Sequence, residues 1–194
     1  RLTSNGFTLV EIIVILAVIS ILVAILTPTV LKYIDEARDD RAREDVKNIS
    51  AMLNDLIKDT GQYPGDKASK SFLCGPGTIV NGSGWASGTS DCTTSSGKLS
   101  DSISNHLVVN DPNEDATTGG ATDYRSSGNR RWKGPYVTSL SEDPWGNAYQ
   151  VNVSTLKGAD TNPTWVISAG PNGTFNTSTS ADTLSSDDIG VRIK

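Results

Sequence analysis

The chain has 194 residues, with 17 Lys and Arg against 22 Asp and Glu, a formal charge of −5 and only 6% aromatic residues. That length leaves room for one anchor helix and one modest domain. The acidic balance, with no basic stripe beyond a mixed run at 38–43, speaks against a nucleic-acid binder. Past Gly61 the chain is rich in Gly, Ser, Thr and Asn, which suits a β-rich, loop-rich exported domain with a limited core.

From Ile12 to Leu26 only Ser20 interrupts the apolar residues, and the stretch 7–31 counts 25 residues. At about 1.5 Å per residue such a helix crosses the roughly 30 Å hydrocarbon core of a bilayer. One carboxylate, Glu11, sits a turn inside its start, where a lone charge costs at least ~2.5 kcal/mol. An ordinary signal peptide places its small-residue cleavage site after the apolar run, whereas the candidate here, Gly6, precedes it. The pattern Gly6-Phe7-Thr8-Leu9-Val10-Glu11 followed by a long apolar helix resembles the processing site of type IV pilins and pseudopilins. The resemblance implies that residues 1–6 are a leader remnant and that a prepilin peptidase cuts between Gly6 and Phe7. It also implies methylation of the new Phe7 amine and retention of Glu11. On that reading Glu11 pairs with the amine of a neighbouring subunit and sets register more than it adds stability. The alternative is Glu11 solvated at headgroup level and idle.

Pro28 lies inside the predicted helix and should kink or locally unwind it, since it removes one donor and clashes with the preceding turn. The charged run 35–45 marks the exit from lipid and is mostly a solvated face. Ala42, Val46, Ile49, Leu53 and Leu56 step by four, three, four and three, so they share one helix face over 32–61. Gly61 is a fitting stop, with Tyr63-Pro64 beyond it.

Residues 62–133 read as a loop-rich insertion. Within it Cys74 and Cys92 bracket a Gly/Ser/Thr-rich loop of ~18 residues, and a disulfide there removes on the order of 3 kcal/mol of unfolded-state freedom. That staple is preferred over free thiols, and over a metal pair for want of further ligands at zinc spacing. Leu99, Ile103 and Leu107 step by four and predict a short amphipathic helix, on which His106, the only histidine, is placed at the surface. Residues 111–129 are irregular. Residues 134–194 predict a small antiparallel sheet with strands at 135–138, 148–153 and 164–168. An Asp143-Pro144-Trp145-Gly146-Asn147 turn joins the first two. Three strands need cover from the helix face 42–56.

Gln62-Tyr63-Pro64, Pro135-Tyr136-Val137, Asp143 to Tyr149, Ile167 to Gly173 and Asp187-Asp188-Ile189-Gly190 occur in that order. The set resembles the major pseudopilins of type II secretion systems over about 1–64 and 134–194. The fold this implies is α+β and type IV pilin-like: a long N-terminal helix, membrane-spanning in its first half, packed on a small antiparallel sheet with a C-terminal calcium-type loop. In that family the loop after the last strand binds Ca²⁺. Carried over by position, the ligands are Asn172, Asp187, Asp188 and the backbone carbonyls of Ala169 and Ser185, with Asp182 as a candidate replacement donor. Oxygen-rich loops suit Ca²⁺, which takes six to eight oxygens. Asn172 stands where the family carries an acid, and the loop 174–185 is longer than usual.

No catalytic set occurs: no partnered nucleophile, no phosphate-cradling loop before a helix and no open metal cluster. The expected function is that of a structural subunit of a helical filament, polymerising from the inner membrane to drive secretion. The resemblance implies a homopolymer that works with minor pseudopilins, an inner-membrane assembly platform and the prepilin peptidase. It places the C-terminal domain in the periplasm. The alternatives are a type IV pilus subunit for adhesion, motility or DNA uptake, and a solitary membrane-anchored binding module.

Overall fold

The computed structural model describes residues 7–68, 71–86, 100–112, 122–157 and 161–194. Its contacts divide the chain into two units, Arg1–Arg38 and Asp39–Lys194, with one helix, α1 (Leu9–Thr60), running through the boundary. In the first unit every large apolar side chain of α1 is exposed, as expected of a surface made for lipid or for other helices. The helix continues without interruption past Pro28, so the local unwinding expected there does not occur in the single chain. The Thr27 hydroxyl donates to the Val23 carbonyl at 2.7 Å, next to the Ala24 carbonyl that Pro28 has no N–H to serve. Short-range ion pairs follow the charged run: Lys32–Glu36, Arg38–Asp35, Arg41–Asp45, Arg43–Asp39 and Arg43–Asp40.

In the second unit the predicted face of α1 is the core. Ala42, Val46, Leu53 and Leu56 are fully buried and Ile49 nearly so. Gly61 ends the helix as expected, at φ +67°, with its N–H on the Ile57 carbonyl. After a short α2 (Pro64–Ala68) come β1 (Phe72–Cys74), β2 (Ser100–Ser102), α3 (Ile103–Leu107) and β3 (Gln150–Val151). A 3₁₀ turn (Val153–Leu156), β4 (Trp165–Ser168) and β5 (Ile189–Arg192) complete the chain. The strands form one sheet in the order β2-β1-β3-β4-β5. β1 and β2 are parallel and the other pairs antiparallel. One layer of sheet against one buried helix face is the smallest arrangement that hides both.

The sheet is therefore mixed and larger than the three antiparallel strands predicted. Residues 135–138 form no strand; Tyr136 N–H bonds instead to the Leu107 carbonyl at the end of α3, 2.8 Å away. The last strand, β5, pairs with β4 over Trp165 to Ser168. The insertion contributes the two remaining strands.

His106 is not at the surface. It is fully buried, with Nδ1 2.6 Å from the Tyr124 hydroxyl and Nε2 3.1 Å from Asp101 Oδ2. Asp101 also accepts from Asn105 Nδ2 and from the Ser102 amide. A buried polar group needs partners, and here both ring nitrogens have one. Leu99 of the predicted helix lies outside the described residues.

Candidate functional site

Two places carry the residues singled out by the sequence. The first is the start of α1. Thr8 caps the helix: its amide and hydroxyl donate to Glu11 Oε2 at 2.8 and 2.7 Å, and the Glu11 amide donates back to Thr8 Oγ1 at 3.3 Å. This is a capping box, in which two otherwise unpaired helix donors are satisfied reciprocally. Glu11 is thus held at the helix end beside Phe7, which is exposed. Gly6 lies outside the described residues. The helix 9–60 is long and apolar enough to cross a membrane.

The second place is the loop between β4 and β5. Its entry is fixed by the Asp143 turn. Asp143 Oδ1 accepts from the Trp145 and Asn147 amides at 3.0 and 2.7 Å, and Gly146 takes φ +87°. Asp143 Oδ2 accepts from Ser168 Oγ at 2.6 Å, and that hydroxyl accepts from the Gly170 amide at 3.1 Å. Turn, strand end and loop entry are one hydrogen-bonded unit. Gly170, at φ +64°, is where the loop's two ends meet: a Cβ there would lie 2.2 Å from the Asp187 carbonyl oxygen. Only glycine combines that conformation with that approach.

The loop brings most of the predicted ligands together. The Asn172 amide donates to Asp187 Oδ2 at 2.9 Å, its side-chain Nδ2 donates to Asp187 Oδ1, and its Oδ1 accepts from the Thr174 amide. The Ser185 carbonyl accepts from the Asp188 amide at 3.4 Å, and Ala169 is fully buried at the loop entry. Asp188 is 6% exposed. Its Oδ2 accepts from the Asn176 and Thr177 amides at 2.9 and 2.6 Å, while its Oδ1 is buried with no hydrogen-bond partner. Burial pushes the Asp188 carboxyl above its ordinary value, against the Thr177 and Asn176 bonds that favour the ionised form. Asp182 stands apart in its bonding: its carboxylate pairs with Arg192 of β5 at 3.0 Å.

A buried carboxylate oxygen without a donor is a position that a cation would satisfy, so the residues present fit Ca²⁺. Among the described residues no three His, Cys, Asp or Glu side chains converge, so such a site relies on two carboxylates plus amide and carbonyl oxygens. That Asn176 and Thr177, within the loop, orient Asp188 was not legible in the sequence. Their contribution is made by backbone amides, which leave no mark in a residue pattern. Cys74 is buried at the end of β1, and no free cysteine occurs among the described residues; Cys92 lies outside them.

Residues 1–27 match the family model of the prokaryotic N-terminal methylation motif. Residues 108–187 match that of type II secretion system (T2SS) protein G. The second match begins inside the segment read as an insertion and ends at Asp187, one residue before Asp188. A similar curated protein is the type II secretion system core protein G of Pseudomonas aeruginosa, 38% identical over 64 residues. That alignment covers 33% of this chain and 45% of the relative, less than half its length. No solved structure matches.

A methylation motif at the head of a long apolar helix, whose second half is buried in an α+β domain, is the arrangement of a pilin-like protein. Over 108–187 the chain is similar to protein G of type II secretion systems. Its apolar helix makes it an inner-membrane-anchored protein with an extramembrane C-terminal domain.

Proposed function

We propose that the chain is the repeating subunit of a pseudopilus, a homopolymer that grows from the inner membrane and drives type II secretion across the outer membrane. The observation that carries this is α1 itself. One uninterrupted helix has an exposed apolar half fit for lipid and a second half whose buried face holds the domain. Transfer of the exposed half from acyl chains to sister helices keeps it out of water at every stage. The prepilin peptidase, the assembly platform and the minor pseudopilins are the partners this role requires. Complementation of a deletion strain tests it: the wild-type chain restores release of extracellular enzymes. Loss of long surface fibres with secretion intact would instead indicate a pilus.

Calcium is the second part of the reading. Asp187 and Asp188, with Asn172 and the carbonyls of Ala169 and Ser185, are the oxygens that would hold Ca²⁺, which would cross-link the two ends of the loop. The buried, unpartnered Asp188 Oδ1 supports this. Thermal unfolding with and without millimolar calcium decides the matter: the expected result is a higher midpoint with calcium, and no shift removes the site. A Cys74–Cys92 disulfide is the third part, supported by the burial of Cys74 and the absence of free cysteines among the described residues. Mass spectrometry of the non-reduced protein should show the linked peptides; two alkylatable thiols would refute it.

A further inference from the structure

The β4–β5 loop does not stand alone. Residues 80–86, which the sequence places in the insertion, run alongside residues 175–179. The Phe175 amide donates to the Asn81 carbonyl at 3.3 Å, and the Thr179 amide to the Ser83 carbonyl at 3.4 Å. The Trp85 indole Nε1 donates to the Thr177 carbonyl at 2.7 Å, and Ser83 Oγ to the Asn176 carbonyl at 3.3 Å. The Trp85 ring packs on Phe72 and Phe175, with ring centres 6.0 and 5.3 Å apart. The approach is close enough that a Cβ on Gly82 would fall 2.1 Å from the Phe175 carbonyl oxygen. Asn176 and Thr177 are therefore held at both ends. Their carbonyls accept from Ser83 and Trp85, and their amides donate to Asp188 Oδ2.

We infer that residues 80–86 are a positioning strap for the cation site, with Trp85 as its anchor. The strap holds the segment whose amides orient Asp188: Ser83 grips the peptide that carries the Thr177 amide and Trp85 the peptide that follows it, so that Oδ1 is presented before a cation arrives. The inference rests on the calcium reading proposed above and adds to it a role for the insertion. Preorganisation has a particular use here, because Asn172 contributes a neutral amide where a third carboxylate would strengthen the site. A donor already in place spares the ordering that binding would otherwise require. Trp85 touches no ligand in this scheme. It acts through Thr177.

Trp85→Phe keeps the ring packing and removes the N–H, and Ser83→Ala removes only the hydroxyl from the other carbonyl. The measurement is calcium affinity by calorimetry on the full chain in detergent, together with the calcium-free unfolding midpoint. Groups that orient metal ligands typically change affinity by 10–100-fold when removed. The expected result for Trp85→Phe is a loss of about tenfold or more in calcium affinity, far larger than its effect on the calcium-free midpoint. Ser83→Ala should move in the same direction by less. Wild-type affinity in both variants would overturn the strap while leaving the calcium site intact. Absence of calcium binding by the wild-type chain would overturn the calcium reading and the strap with it.

Discussion

At the scale of single residues, the tightest constraint is Asp143. One carboxylate closes the turn through two amides and ties it to Ser168, at the entry of the β4–β5 loop. Asp143→Ala strands those donors in a buried place, and each unsatisfied group costs about 1–3 kcal/mol. Chemical denaturation should register a loss of that order, with Asp143→Asn losing less. Asp188 gives a pH prediction whose sign follows from its raised carboxyl. The folded state binds the proton more tightly than the unfolded chain. The contribution of this group is therefore fully present below the unfolded carboxylate value and is lost as pH rises through the folded value. Without calcium, Asp188→Asn should flatten the pH dependence of stability across that window; an unchanged profile would show that Asp188 titrates normally.

At the scale of elements, the helix face 42–56 and the strand β4 were legible because each imposes its own period. Leu53 and Leu56 are fully buried where the spacing puts them, and Leu53→Ala should destabilise the domain by about 2–5 kcal/mol in denaturant titrations. The Gly61 stop and the Asp143 turn were legible for a related reason, since each depends on a residue with a special backbone preference. Other elements were not. β2 is Ser100–Ser102, a polar strand whose central Asp101 is buried by its bonds to His106 and Asn105, partners no periodicity reveals. β5 is too short and too mixed to read as a strand alone, and exists through its four-residue register with β4. In the β4–β5 loop the candidate ligands could be named from resemblance, but the amides that orient Asp188 come from neighbours in space rather than in pattern. Gly170→Ala should damage this loop selectively. A Cβ at φ +64° against the Asp187 carbonyl is both strained and crowded, and a strained residue of this kind costs about 1–3 kcal/mol.

At the scale of the whole molecule, the chain joins an apolar helix that no part of its own first unit covers to a domain with a complete core of its own. One half of such a chain suits lipid and the other suits water, and in the proposed polymer both would be satisfied without a membrane. On the proposed reading Glu11 is the residue that distinguishes the two states. In the single chain its carboxylate is committed to Thr8; in a polymer it would meet a neighbour's methylated Phe7 amine. The most direct test is crosslinking of the protein in cells carrying the secretion machinery, with the N-terminus of the multimers determined by mass spectrometry. The account predicts multimers whose subunits begin at N-methylated Phe7, and monomer alone for Glu11→Leu. Multimers that retain residues 1–6, or that form equally well with leucine at position 11, would contradict it.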